Sequence, residues 1–211
     1  MKAVQLHGYG DVDQLRYEDV PIPKPGPGEV LVKVAVTSVN PIDWKVRRGY
    51  LKDVMPLQFP VILGRDVAGE VVETGANVSK WKPGQKVMGL VNRSYAEFLI
   101  ASAEVLAAIP DGLDLEQAGV LPLVTTTGAQ LADHAEPKSG DTILITGALG
   151  SVGRTAVYTA KQKGARVIAG VRARQKQDAA ALPADRVVAI DSDEEIKRVA
   201  GTGWNRRYLR S

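Results

Sequence analysis

A run of small residues follows a short apolar segment, and it has the spacing of a phosphate-binding turn. The segment is ILITGALGSVG, residues 143–153. In the pattern Gly-x-Gly-x-x-Gly, the second glycine lets the backbone approach a pyrophosphate, and the third lets the next helix pack closely on the strand. Gly150 and Gly153 hold these positions, whereas Ala148 replaces the first glycine. Because Gly147 precedes Ala148, we expect these two residues to shape the tight turn together.

The flanking residues predict a strand before this turn and a helix after it. DTILIT (141–146) is typical of a buried strand, and 151–163 has apolar residues at helical spacing before Gly164 ends the helix. The first turn of a helix offers free N–H groups and a positive dipole end to a phosphate. The candidate dinucleotide ligands are therefore Gly147, Ala148, Gly150, Ser151, Val152 and Gly153. The alternative is a tight link between strand and helix that binds no ligand.

The residues after this helix predict a parallel sheet and a preference for NADP(H). A second strand (165–171), a second helix (173–182) and a third strand (185–190) complete a β-α-β-α-β pattern with short links. An NAD-selective site would show an acid after the second strand, but this segment is GVRARQK. Its cations, which suit a 2′-phosphate, are Arg172, Arg174 and Lys176. The alternative is a solvated basic helix start.

The first half of the chain is β-rich. Strand candidates are 29–39, 66–75 and 86–90, separated by turns rich in glycine and proline. Many short strands joined by such turns favour a barrel-like β domain. The predicted fold is therefore α/β, with a β-rich first domain and a partial Rossmann domain. The predicted segments are 1–120, 121–190 and a basic tail, 191–211.

Composition excludes several kinds of site. The 211 residues include no cysteine and two histidines, which argues against zinc bound by nitrogen and sulfur ligands. The net charge of +3 equals the number of arginines in the last eleven residues, so no basic face for nucleic acid is indicated. No apolar run approaches the ~20 residues of a membrane span, and no signal peptide is evident. We expect a cytoplasmic protein with no membrane or nucleic-acid partner.

Several separated motifs resemble the medium-chain dehydrogenase/reductase superfamily, specifically its zinc-free quinone oxidoreductases and enone reductases. The motifs, in chain order, are MKAVQL, PKPGPGEVLVKV, SVNPIDWKVRRG, FPVILGRDVAGEV, YAEFL, GVLPLVTTTGAQ and GALGSVG. The resemblance runs from Met1 to about Ile190. It implies a GroES-like β domain followed by a Rossmann domain.

The resemblance also implies a zinc-free reaction. Asn40 stands where zinc-dependent relatives have a cysteine, and Gly64-Arg65-Asp66 replaces their Gly-His-Glu segment. The implied activity is hydride transfer from NADPH to a quinone or an α,β-unsaturated carbonyl compound. The implied residues are Asn40 and Asp43 beside the nicotinamide, Lys45 or Tyr50 as hydrogen-bond or proton donor, and Thr127 on the cofactor.

Structural alternatives exist for several of these residues. NPID is also typical of a helix start, with Asn40 as the N-cap, proline next and Asp43 in the first turn. Arg65 and Asp66 are expected to form an ion pair at a strand end. Tyr95 is expected to be a packing residue.

The end of the chain departs from the family pattern. VAGTGWNRRYLRS does not resemble the second half of a Rossmann domain, so a frameshift or a truncated reading frame is our hypothesis for this tail. We expect strand 142–146 to become an exposed sheet edge, which favours aggregation or a homo-oligomer. The alternative function is a non-catalytic remnant that at most binds a nucleotide or a partner.

Overall fold

The computed structural model describes residues 1–200 and 208–210. The chain divides into two compact units, Met1–Leu123 and Val124–Ser211. Among the described residues, none of the helices combines the length and the apolar character needed to cross a bilayer.

The first unit consists mainly of antiparallel strands. These are β1 (Lys2–Leu6), β2 (Leu15–Asp19), β3 (Glu29–Val36), β4 (Val61–Ile62), β5 (Asp66–Thr74), β6 (Lys86–Leu90), β7 (Phe98–Ser102) and β8 (Leu106–Ala108). They form a three-stranded sheet in the order β2-β1-β4 and a five-stranded sheet in the order β7-β3-β5-β6-β8. Two helices accompany them, α1 (Pro41–Arg47) and the short α2 (Leu115–Ala118).

The larger sheet surrounds a core of branched side chains. Val30 and Val32 from β3, and Val67 and Val71 from β5, are fully buried. Register shifts between β3 and β5 bend this pair, as expected of β-bulges. The predicted strand 29–39 ends at Val36 because the side chains beyond it enter a polar cluster, where the Thr37 hydroxyl donates to the Asp66 carbonyl at 2.8 Å.

The second unit is a parallel sheet with helices. Its elements are α3 (Pro122–His134), whose first residues belong to the first unit, β9 (Thr142–Thr146), α4 (Ser151–Gln162), β10 (Arg166–Val171), β11 (Arg186–Ala189), α5 (Asp193–Ala200) and β12 (Tyr208–Arg210). The strands pair in parallel in the order β11-β10-β9-β12. The predicted α/β class and the β-α-β unit around β9 are confirmed.

Helix α4 follows the predicted apolar spacing. Gly153, Ala156, Val157 and Ala160 are buried against the sheet. Gly164 lies beyond the helix with φ of +79°, a left-handed conformation that glycine adopts without strain, so the chain turns into β10 as predicted.

The predicted helix 173–182 is wrong. This segment contains two short 3₁₀ turns, Ala173–Gln175 and Asp178–Ala181. Residues 174–178 are polar, so no apolar stripe holds a longer helix on the sheet. Leu182 precedes a proline and is extended, with ψ of 144°.

The prediction that β9 forms a free edge is also wrong. β12 pairs with it in parallel, with Leu209 opposite Ile145. Within 191–211, predicted as a tail of aberrant sequence, α5 also packs on β11 and buries Val199. Self-association through β9 itself is therefore not expected, and a homo-oligomer through another sheet edge stays a prediction.

The close approach of α3 and α4 gives a test of this fold. A Cβ atom at Gly128 would overlap the Val152 carbonyl oxygen and lie 2.6 Å from the Thr155 Cβ. We expect Gly128→Ala to lower the free energy of unfolding by about 1–3 kcal/mol, since overpacking outweighs the better helix propensity of alanine. Denaturant unfolding measures this, with Gln130→Ala on the exposed face of α3 as the neutral control. A variant more stable than wild type would contradict the packing.

Candidate functional site

The glycine turn lies between β9 and α4 and is closed by its own backbone. Gly147 has φ of +66°, and its carbonyl oxygen accepts the Gly150 N–H at 2.8 Å. A Cβ atom at Gly153 would overlap that same carbonyl oxygen, so α4 can begin this close to the strand only with glycine there. Ala148 is fully buried, and its N–H donates to the Gly170 carbonyl. A small residue in place of the first glycine therefore fits this turn.

The start of α4 can receive an anion. Gly150 is its N-cap and Ser151 its first residue, and both are exposed. The N–H groups of the first helical turn have no partner within the helix, and the helix dipole favours negative charge there. The Arg154 side chain donates from Nε to the Leu149 carbonyl at 3.0 Å, which places a cation over the turn. These residues fit a phosphate group.

Two of the three predicted phosphate cations are exposed at the end of β10. Arg172 and Arg174 are exposed, and neither forms an ion pair with another described residue. Lys176 differs, because its Nζ atom lies 2.8 Å from Oε1 and 3.0 Å from Oε2 of Glu195. This hydrogen bond from Lys176, together with one from the Ala189 N–H, holds the pKa of Glu195 below its ordinary value. Lys176 therefore ties the segment after β10 to α5, whereas Glu195 also binds the Ala189 N–H of β11. A role of the two arginines toward a 2′-phosphate stays a prediction.

The structure also brings an acid to this edge. Asp191 follows β11, and its Oδ1 accepts the Ala173 N–H at 2.8 Å. Parallel strands end at the same edge of a sheet, so Asp191 comes near the segment after β10 despite its distance in sequence. The segment GVRARQK contains no acid, so the sequence around the end of β10 did not predict that Asp191 would lie there.

A polar cluster lies inside the first unit, where α1 begins. Asn40 and Asp43, predicted as catalytic, are 8% and 6% exposed. The Asp43 carboxylate accepts the Asn40 N–H at 2.7 Å, and the Asp43 N–H donates to the Asn40 backbone carbonyl at 3.0 Å at the helix start. The structural interpretation of NPID is therefore correct, and it leaves the Asn40 side-chain amide group available for other contacts.

Asp66 is the centre of this cluster. Its carboxylate is fully buried and accepts hydrogen bonds from the Asn40 side-chain amide at 2.8 Å, the Leu123 N–H at 2.6 Å and the Ser38 hydroxyl. The expected ion pair with Arg65 is wrong. Arg65 instead donates to Asn92, because consecutive residues of an extended chain point to opposite sides.

Tyr95 joins the cluster, although the sequence indicated only packing. Its hydroxyl donates to the Ser38 carbonyl at 3.4 Å. Partial burial raises the pKa of Tyr95 well above its ordinary value, and the nearby Asp43 carboxylate raises it further. Tyr95 therefore stays a neutral hydrogen-bond donor. No local spacing relates residue 95 to residue 43, so the sequence carried no signal of this contact.

Lys45 and Tyr50, the other predicted catalytic residues, lie outside the cluster. Both are exposed, and Tyr50 retains 63% of its accessible surface. Lys45 Nζ lies 5.8 Å from the centre of the Trp44 ring, and the Tyr50 ring packs edge-on against the same indole at 5.6 Å. They form a separate exposed group.

Two further predicted features can be placed. Thr127, the expected cofactor contact, lies in α3 and is half-buried. Among residues 1–200, no three histidine, aspartate or glutamate side chains converge as a metal site would require. The zinc-free character stays a prediction.

Comparison with known proteins identifies a family model and relatives that resemble this chain. Residues 26–111 match the family model of the alcohol dehydrogenase GroES-like domain. The chain is 35% identical over 220 residues to a chloroplastic quinone-oxidoreductase homolog of Spinacia oleracea, covering 99% of this chain and 67% of the relative. Because that relative is named as chloroplastic, the expected cytoplasmic location stays a prediction.

Solved structures agree with this likeness. A quinone oxidoreductase from Coxiella burnetii superposes with a TM-score of 0.78 at 34% identity, covering 93% of this chain and 65% of that one. A mycobacterial protein solved with NADPH gives a TM-score of 0.78 at 30% identity, with coverages of 95% and 64%. The chain spans about two thirds of the length of the relatives it matches.

The raised pKa of Tyr95 can be tested by titrating tyrosine absorbance. A raised pKa in the folded state stabilises the fold fully below the ordinary tyrosine value of 10.0, and this stabilisation is lost as pH rises above that value. About one unit above it, we expect folded wild type and Tyr95→Phe to show equal phenolate absorbance, since Tyr95 is still protonated. In denaturant, wild type should show one more ionising tyrosine than the variant. A difference of one phenolate between the folded proteins would contradict the assignment.

Proposed function

We propose that this chain, which belongs to the medium-chain dehydrogenase/reductase superfamily and to its quinone oxidoreductase branch, binds NADPH and transfers hydride without zinc. The proposed acceptors are quinones and α,β-unsaturated carbonyl compounds. The observation that carries the proposal is the glycine turn between β9 and α4, because it has the strand, the turn and the helix start that a pyrophosphate requires. Quinone oxidoreductase relatives support the choice of acceptor.

The second unit supplies the proposed nucleotide site. Ser151, Val152 and Gly153 would present backbone N–H groups to the pyrophosphate, since they form the first turn of α4, and Gly150, whose own N–H is bound within the turn, would let the backbone come close to it. Arg172 and Arg174 would bind the 2′-phosphate, because both guanidinium groups are exposed and planar donors suit a phosphate. Thr127 is the further proposed contact to the cofactor.

The first unit supplies the proposed chemistry. Bound NADPH provides the hydride. Addition of hydride to an enone or a quinone leaves negative charge on the carbonyl oxygen, which needs a hydrogen-bond donor and then a proton. Lys45 and Tyr50 are exposed donors that both contact the Trp44 ring, so we assign this task to them.

Asn40 and Asp43 have a different proposed role. Both N–H groups of the Asn40 amide are already bound, one to Ser38 and one to Asp66. Asn40 therefore has no free donor for a substrate oxygen. We place Asn40 beside the nicotinamide as an acceptor, held by the helix start that Asp43 caps.

Nucleotide binding tests the cofactor proposal first. We expect the purified chain to bind NADPH more tightly than NADH in a fluorescence titration. Arg172→Ala should weaken NADPH binding by about tenfold, because a charge-assisted hydrogen bond is lost, and leave NADH unchanged. Arg166→Ala removes an exposed arginine at the opposite end of β10 and is the matched charge control. Equal effects of the two variants would contradict the 2′-phosphate site.

Turnover tests the chemical proposal separately. With an enone or a quinone, NADPH oxidation should be saturable and should need no added metal. Tyr50→Phe or Lys45→Met should lower kcat by about 10²-fold or more if that residue delivers the proton, with little change in the Kd for NADPH. Tyr158→Phe, an exposed tyrosine on α4, is the matched control. NADPH binding without any turnover would refute the proposed activity and leave the cofactor site standing.

A further inference from the structure

Asp66 is a buried carboxylate whose donors, among the residues that the structure describes, are three uncharged groups. Ser38 gives a hydroxyl hydrogen, Asn40 an amide hydrogen and Leu123 a backbone N–H. The Asp66 Oδ1 atom receives the Leu123 N–H, and Oδ2 receives both side-chain donors. A carboxylate can only accept, so each of these three groups must turn its hydrogen toward Asp66.

This arrangement fixes which way the Asn40 amide points. The Ser38 hydroxyl gives its hydrogen to Asp66, so toward Asn40 it can only accept, and it does so at 2.8 Å. Both N–H groups of Asn40 are thereby directed into the cluster. Rotating the amide by half a turn would place its oxygen against the Asp66 carboxylate, where two acceptors face each other without a hydrogen. Only the oxygen of Asn40 is left for another partner.

We propose that Asp66 is a positioning residue that sets the polarity of the Asn40 amide, so that Asn40 recognises a hydrogen-bond donor on the nicotinamide half of the nucleotide. This inference rests on the proposed function, which places Asn40 beside the nicotinamide. A carbonyl or enolate oxygen is excluded as the partner of Asn40, because Asn40 has no free N–H to give it.

The substitution Asp66→Asn tests the polarity. The Leu123 N–H can only donate, so it holds the oxygen of the new amide, and the new NH₂ group must face Ser38 and Asn40. Asn40 then has to turn its oxygen inward and present its NH₂ group to the nucleotide. The side chain keeps its size, loses its negative charge, and changes from acceptor to donor at the atom that faces Ser38 and Asn40.

Exchanging the two groups should restore the original polarity. In the double variant Asn40→Asp/Asp66→Asn, the amide at position 66 donates to the carboxylate at position 40 and to Ser38, and Ser38 donates to position 40. The carboxylate at position 40 again offers an acceptor outward. Every hydrogen bond of the triangle is kept with its direction reversed and the net charge of the pair is unchanged, although the carboxylate now stands at position 40.

Two probes separate the inference from the proposed function. NADPH reports on the whole nucleotide site, whereas adenosine 2′,5′-bisphosphate lacks the nicotinamide half. We expect Asp66→Asn to weaken NADPH binding by about tenfold or more and to leave the bisphosphate within about twofold. The double variant should regain NADPH affinity to within about threefold of wild type. Ser94→Ala, which removes a buried hydroxyl that contacts Thr37 and not Asn40, should bind both probes like wild type.

Three results of the binding experiment would each overturn the inference. They are unchanged NADPH affinity in Asp66→Asn, an equal loss of affinity for both probes, and no recovery of NADPH affinity in the double variant.

If wild type binds neither probe, the proposed function fails, and nuclear magnetic resonance of the free protein still decides the role of Asp66. In wild type the Asn40 side-chain NH₂ hydrogens should exchange with solvent far more slowly than those of exposed Asn77, and Asp66→Asn should abolish this protection. Exchange of Asn40 as fast as that of Asn77 in wild type would overturn the assignment.

Discussion

The buried carboxylate of Asp66 imposes the strongest constraint on the first unit. A charge without contact to water has to collect hydrogen bonds, and each one left unmade costs about 1–3 kcal/mol. Asp66 obtains its donors from the segment after β3, from the start of α1 and from the start of α3. Those three segments are held at one point by the chemistry of a single side chain. The early end of β3 and the placement of Asn40 follow from this requirement.

The second unit depends on steric room rather than on charge. The turn after β9 exists because Gly147 adopts a left-handed conformation and because Gly153 leaves space for the Gly147 carbonyl. Backbone N–H groups at the start of α4 are thereby directed outward. One unit therefore orders side chains around an anion of its own, and the other exposes backbone donors suited to an anion from outside.

Local patterns in the sequence were sufficient to predict most of the strands and helices. Alternating valines predicted β3, and the apolar spacing of α4 gave its buried face because periodicity records which side of an element meets the core. The side-chain contacts of the candidate site were harder to predict from the sequence. Asn40 and Asp43 are three residues apart, so the hydrogen bond between them at the helix start could be predicted. The hydrogen bond from Asn40 to Asp66 and the approach of Tyr95 depend instead on how β5 and the segment before β7 fold back. The Lys176–Glu195 ion pair and the pairing of β12 with β9 were not predicted for the same reason, since both join segments that are distant in sequence.

The triangle of Ser38, Asn40 and Asp66 also constrains how the sequence can change. Each corner uses the hydrogen-bonding direction of the other two, so a substitution that reverses donor and acceptor at one corner forces the hydrogen bonds of the other two to reverse as well. If the outward acceptor at position 40 is to be kept, a change at one of these positions needs a matching change at another, such as amide and carboxylate exchanging places. The three residues are therefore expected to change together rather than singly.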